Sequence, residues 1–243
     1  MSGPFGSSQW MYSSGGFYGF PIEQSLRFND DDASYLSWTP ASAGNRKTWT
    51  FSAWVKRGNL GSFQTIFSAG ASSPSYDIIR FTDADKLQFV QEGATAGANL
   101  ITNAVFRDAS AWYHVVVKLN STSSEAAIFV NGVEQTVTGS QPTNTDRAFS
   151  NSVIHAIGTL SFSPQLYADC YIAEVNFIDG TALDPTSFGE FKSGVWIPKR
   201  YGGTYGTNGF RLSFADSGNI GDDTSGNTND WTANSLVATD VLL

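Results

Sequence analysis

The side chains in this sequence that could do chemistry are few and scattered. Glu174 and Asp179 bracket the run Glu-Val-Asn-Phe-Ile-Asp. Paired carboxylates are the machinery of glycoside hydrolysis, and a retaining enzyme holds them ~5 Å apart. Here they stand five positions apart with Asn176 between them, so an unbroken strand sends them to opposite faces. Two acidic loops could offer oxygen ligands to a hard cation such as calcium. One is Asp30-Asp31-Asp32; the other carries Asp222, Asp223, Asn227, Asn229 and Asp230. Within them Asp30, Asp32, Asp222, Asp223 and Asp230 are the metal candidates. Asp and Asn also favour turns through local hydrogen bonds, so plain turns are the expectation at both loops. His114 and His155 lie inside apolar runs, with no Ser, Cys or acid at a suggestive spacing, and are expected to be satisfied strand histidines. Trp38, Trp49 and Trp54 present flat faces on which a sugar ring could stack. Trp49 and Trp54 are an odd number of positions apart and must face opposite sides of a regular strand. Trp38 and Trp49 are the expected exposed pair. No phosphate-binding glycine loop and no zinc spacing is present, and no catalytic residue is assigned.

The elements that position these groups read as strands. Trp112 to Val133 is the clearest stretch: a β-branched run at Val115 to Val117, a polar loop, then the alternation Ile128, Val130 ending in Asn131-Gly132. That dipeptide supplies the positive φ of a tight hairpin turn. Similar short runs recur from Ser25 to Phe177, with turn residues every ten or so positions, which is the spacing of a sandwich. Only the stretch after Asp184 looks helical, with Asp184 or Thr186 as a cap. The predicted fold is therefore all-β, two antiparallel sheets with an extended N-terminal arm.

Three segments are distinguished. Residues 1–22 form a Gly/Ser-rich arm without a charged side chain, interleaved with Phe5, Trp10, Tyr12, Phe17, Tyr18 and Phe20. A flexible linker needs no aromatics, whereas a segment that orders on a partner does. The alternative is that the arm packs back on its own domain. Residues 23–188 form the main sandwich. Residues 189–243 are either a β extension of it or the start of a further domain; Gly209 to Phe214 weakly copies the opening Ser25 to Phe28.

Composition narrows the class. The 243 residues carry a net charge of −8, which argues against nucleic acid as a partner. Only 15% of residues are charged and 14% are aromatic, a balance that suits short strands joined by polar turns. The single Cys170 excludes a disulfide-built module and is expected to be a buried, inert thiol. No apolar run reaches transmembrane length. The N-terminus has neither the basic start nor the apolar core of a signal peptide, so synthesis in a cytoplasm without export is expected.

In order along the chain, four pieces resemble the laminin G-like members of the concanavalin A-like lectin/glucanase superfamily. They are Ser25-Leu-Arg-Phe-Asn-Asp-Asp-Asp with Tyr35-Leu36; Thr50-Phe-Ser-Ala-Trp-Val-Lys; Trp112-Tyr-His-Val-Val-Val with Ile128-Phe-Val-Asn-Gly-Val; and Tyr171-Ile-Ala-Glu-Val-Asn-Phe with Gly180-Thr-Ala-Leu-Asp-Pro. The resemblance implies a jelly-roll sandwich. It also implies that calcium at a rim is one option, although no cofactor is required. Glucanases of this superfamily use Glu-x-Asp-x-(x)-Glu on one strand; Asn176 departs from that pattern. The segments Thr39 to Trp49, Asn208 to Phe214 and Asp223 to Trp231 look like those of virion proteins of aquatic tailed bacteriophages. That flavour implies a non-enzymatic structural protein of a virion, a tail fibre, spike or head decoration, docked by its arm to other virion proteins and expected as a homotrimer. The alternative is a lectin-like module that binds host-surface glycan, with Trp38 and Trp49 as sugar contacts. A glycoside hydrolase is the third reading.

Overall fold

The computed structural model describes residues 17–242; Phe5, Trp10 and Tyr12 of the arm lie outside the described residues. The chain folds as two large antiparallel sheets stacked as a jelly-roll. The first sheet contains β1 (Ser25–Phe28), β3 (Thr48–Arg57), β8 (Tyr113–Asn120), β9 (Glu125–Val130), β10 (Val133–Glu134), β13 (Cys170–Asp179), β16 (Phe210–Leu212) and β18 (Val241–Leu242). Its order is β10-β9-β8-β3-β13-β1-β18, with β16 also beside β13. The second contains β2 (Tyr35–Trp38), β4 (Gln64–Ser72), β5 (Ser75–Phe81), β6 (Leu87–Glu92), β7 (Asn99–Thr102), β11 (Val137–Ser140), β12 (His155–Ile157) and β17 (Thr232–Asn234). Its order is β11-β7-β6-β5-β4-β12-β2-β17. A hairpin of β14 (Gly189–Lys192) and β15 (Val195–Pro198) stands apart from both.

Period-two alternation sets the faces. In β3, Trp49, Phe51, Ala53 and Val55 point into the sandwich, while Thr50, Ser52 and Trp54 point away. In β8, Tyr113, Val115, Val117 and Leu119 point inward, and His114, Val116 and Lys118 outward. The high aromatic content is spent between the sheets. Phe67 stacks on Phe149 with centroids 4.5 Å apart and on Phe51 at 5.1 Å, and Trp49 meets Phe89 and Phe149 edge-on. Cys170 faces this core and is 2% exposed; burial pushes its thiol pKa up, which keeps it protonated.

The Asn131-Gly132 turn is a two-residue hairpin between β9 and β10, with φ of +50° and +79°. The stretch after Asp184 is only a single 3-10 turn, Pro185–Ser187. Strands after residue 189 complete the main sandwich: β16 pairs with β13, β17 with β2, and β18 with β1. The weak copy in the sequence has a structural counterpart. β1 and β16 lie end to end along the same edge of β13, on residues 170–172 and 175–177. The segment between β13 and β16 covers the outer face of the first sheet, where Leu183, Phe188, Tyr201 and Tyr205 pack on Val116, Phe129 and Ile178. No described helix is long and apolar enough to cross a membrane.

Candidate functional site

The outer face of the first sheet carries a cleft with aromatic walls. A cleft of about 450 Å³ is walled by Trp54 from β3, Trp112 just before β8, and Trp196 from β15. Tyr18, Pro21 and Ile22, the end of the arm, also line it, as do Glu23 and Gln24. The three indoles are half-buried and Tyr18 is exposed. Local sequence explains the arrangement. Gly132 and Gly189 leave room for the Trp196 ring; a Cβ on either would collide with it.

His114 holds two of these indoles in place. The Trp54 ring stacks on it at 4.8 Å and 23°. Trp196 Nε1 donates to His114 Nδ1 at 2.9 Å, and His114 Nε2 lies 2.9 Å from Ser52 Oγ. An indole N–H can only donate, so Nδ1 carries the lone pair and Nε2 the proton, which is given to Ser52. Burial lowers the imidazole pKa to about 3. His114 is a neutral strut with both nitrogens engaged, not an acid or base. His155, at the inner face of β12, is likewise neutral. Its Nδ1 donates to the Val153 carbonyl at 2.8 Å and its Nε2 accepts from Ser150 N–H; burial lowers its pKa to about 4.

The sugar contacts expected from sequence fall elsewhere. Trp49 is fully buried, because it shares the inward parity of Phe51, Ala53 and Val55. Trp38 packs against the core and touches His155, Phe210 and Trp231. It is not part of the cleft. The exposed member of the Trp49/Trp54 pair is Trp54, and the polar Thr50 and Ser52 on its side of the strand were the signal. Trp112 and Trp196 carried no periodic signal, being in a loop and in a short hairpin.

The carboxylate pair also differs from expectation. β13 is not unbroken: its pairing with β3 shifts register between Ala173 and Asn176, and Glu174 sits in this bulge at φ +50°. The bulge turns Val175, Phe177 and Asp179 inward instead of Glu174 and Asn176. Glu174 forms a buried two-pronged ion pair with Arg211, at 2.6 and 2.9 Å. Asp179 accepts backbone N–H from Asn45 and Asn208 at the core edge. The structure does not bring the two together.

In the second acidic loop, Asp223 accepts from the backbone N–H of Arg211, Ser225 and Asn229, and Asp230 accepts from Asp223 N–H. Asp222 Oδ1 lies 3.5 Å from Asn219 Nδ2. In the first, Asp32 accepts from Asn29 and Asp30 from Asn59. Among the described residues no three His, Cys, Asp or Glu are grouped to hold a metal ion. Of the arm's aromatic candidates within the described residues, Tyr18 lines the cleft, and Phe17 and Phe20 do not. Phe20 lies under the Arg211 guanidinium at 5.8 Å, and Phe17 is 41% exposed.

Solved structures share this architecture. A Bacteroides ovatus protein named as a candidate carbohydrate binding protein superposes with a TM-score of 0.66 at 15% identity, over 92% of this chain and 60% of its own length. The heptameric SAP-like pentraxin of Limulus polyphemus gives 0.51 at 15% identity, covering 67% of this chain and 78% of that one. Domains LG4-5 of the mouse laminin alpha1 chain give 0.51 at 14%, covering 71% and 46%. At these identities the likeness is one of fold. No curated protein matches the chain in sequence. A laminin G-type family model matches residues 30–187, more than half of the sequence, and the chain belongs to the concanavalin A-like lectin/glucanases superfamily.

Proposed function

We propose that this chain is a non-enzymatic, lectin-like module that binds glycan in the Trp54/Trp112/Trp196 cleft and is carried on a bacteriophage virion facing the host surface. The observation that carries the glycan reading is the cleft itself: three half-buried indoles, two of them braced by His114, with Glu23 and Gln24 beside them for hydroxyl groups. Small-ligand sites are typically apolar clefts of this size with a few polar groups. The virion setting, whether tail fibre, spike or head decoration, rests on the sequence flavour of residues 39–49, 208–214 and 223–231 and on the uncharged aromatic arm.

The absence of enzyme activity is part of the proposal. Glu174 is held by Arg211 and His114 is neutral, so the groups that would transfer protons are already engaged. Calcium is left out of the proposal: both Asp223 oxygens accept backbone N–H groups, as turn-forming carboxylates do. A glycan array read with and without chelator, followed by fluorescence titration, tests the reading. Saturable binding that survives chelator and is lost in Trp112→Ala is the expected result; no binding to any glycan overturns it. The virion setting is tested separately. Deleting residues 1–16 spares the cleft wall and should block incorporation into particles, and sedimentation reports whether the protein is the expected homotrimer.

A further inference from the structure

Apart from this cleft, one buried cation forms no salt bridge among the described residues, Asp77 being coupled to it only at longer range. Arg147 lies in the loop between β11 and β12 and is 6% exposed. Its Nη2 donates to the Thr95 carbonyl at 2.9 Å and to Thr95 Oγ1 at 3.3 Å. Its Nε is buried with no hydrogen-bond partner, and no hydrogen bond is made by Nη1. Neighbouring Asp146 does not serve it, sitting instead 3.9 Å from both Arg46 and Lys47. Asp77 lies behind, with Oδ2 accepting from Phe149 N–H and Oδ1 unpartnered. Burial pushes its carboxyl up to about 7, so at neutral pH it is only a partial counter-charge.

The position is built to hold the guanidinium. A Cβ on Gly93 would collide with Nη1, so glycine is what lets the group lie there. Arg46 Nε donates to the Arg147 backbone carbonyl at 2.6 Å. Both arginines line a cleft of about 350 Å³, together with Thr95, Asn151, Glu92 and Asp146. A guanidinium cannot shed its proton. Removed from water without a partner it is costly, and with Nε sealed in and Nη2 held by Thr95, Nη1 is the donor left to meet an oxyanion in the cleft.

We propose that the Arg147 cleft binds the carboxylate or sulfate of an acidic sugar. The sugar part rests on the glycan reading above; the anion part rests on Arg147 alone. Glu92 and Asp146 at the same cleft select for a single negative charge and against a dianion. The test titrates the full chain with glucuronate, glucose 6-sulfate, inorganic sulfate and glucose, read by calorimetry and by the Arg147 Nε–H NMR signal. Both sugar acids should saturate and shift that signal, glucose should not, and Arg147→Gln should weaken the acids at least tenfold. If Arg147→Gln fails to melt cooperatively, Gly93→Ala, which displaces Nη1, takes its place. Equal responses to glucuronate and glucose, or undiminished acid binding in a folded variant, would overturn the proposal, as would sulfate binding with neither sugar acid. Trp112→Ala separates the two sites: acid binding here should survive it.

Discussion

His114 and His155 tie their local geometry to the behaviour of the protein in acid. Both are neutral in the fold, with pKa values lowered by burial to about 3 and about 4, and both protonate near 6.5 once unfolded. Between those limits the unfolded chain holds more protons, so stability falls as pH drops, by about 1.4 kcal/mol per pH unit for each group. Asp77 acts the other way. Burial raises its pKa from 3.8 to about 7, so the folded state keeps the proton and stability falls as pH rises through that window. Two groups against one leave a net gain of about 1.4 kcal/mol per unit from roughly pH 4.5 to 6.5. Urea unfolding across that range should show this rise, and Asp77→Asn should steepen it; a stability that declines from pH 4.5 to 6.5 would contradict the assignment. Glu174 makes a second residue-scale case. Glu174→Ala strands the Arg211 charge in a site where it is 8% exposed, so it should cost about 3–5 kcal/mol. Chemical denaturation measures this, and a loss below 1 kcal/mol would mean that water replaces the carboxylate.

The β9-β10 hairpin and the bulge in β13 mark how far the elements could be read from sequence. Asn131-Gly132 announced its turn because few residues tolerate positive φ, and the structure has both residues there. The same glycine has a second task that no local signal reveals: it makes room for Trp196, which is 64 positions away in sequence. Gly132→Ala should therefore cost about 1–2 kcal/mol in backbone strain and also push Trp196 off His114. A lowered melting temperature together with altered indole fluorescence is expected; an unchanged spectrum would show that the ring adapts. The strands themselves were legible, since alternation of Phe51, Ala53 and Val55 against Thr50 and Ser52 already tells the faces of β3 apart. Misplacing Trp49 outward ignored that parity. The bulge at Glu174 was not legible. A non-glycine residue at positive φ carries no compositional mark, and it is stabilised by Arg211, which is distant in sequence and aligned by β16.

At the scale of the whole molecule, the family match and the folding unit do not end at the same place. The match stops at residue 187, yet the strands that follow close both sheets. Phe210, Leu212, Phe214, Ile220 and Trp231 all sit in the main core, and the Trp231 ring lies 4.8 Å from Phe210 and 6.3 Å from Phe67. Burying five such side chains contributes roughly 10 kcal/mol, which is comparable to the total stability of a domain. Cutting after residue 188 would also unpair the edge of β13 at residues 175–177, leave Glu174 buried without Arg211, and remove Trp196 from the cleft. The sandwich is thus a joint product of the matched region and the tail. A chain of residues 1–188 should lose its cooperative thermal transition and its near-ultraviolet aromatic circular dichroism, whereas residues 17–243 should keep both. A cooperative melt from the 1–188 chain would show that the first thirteen strands close a core on their own.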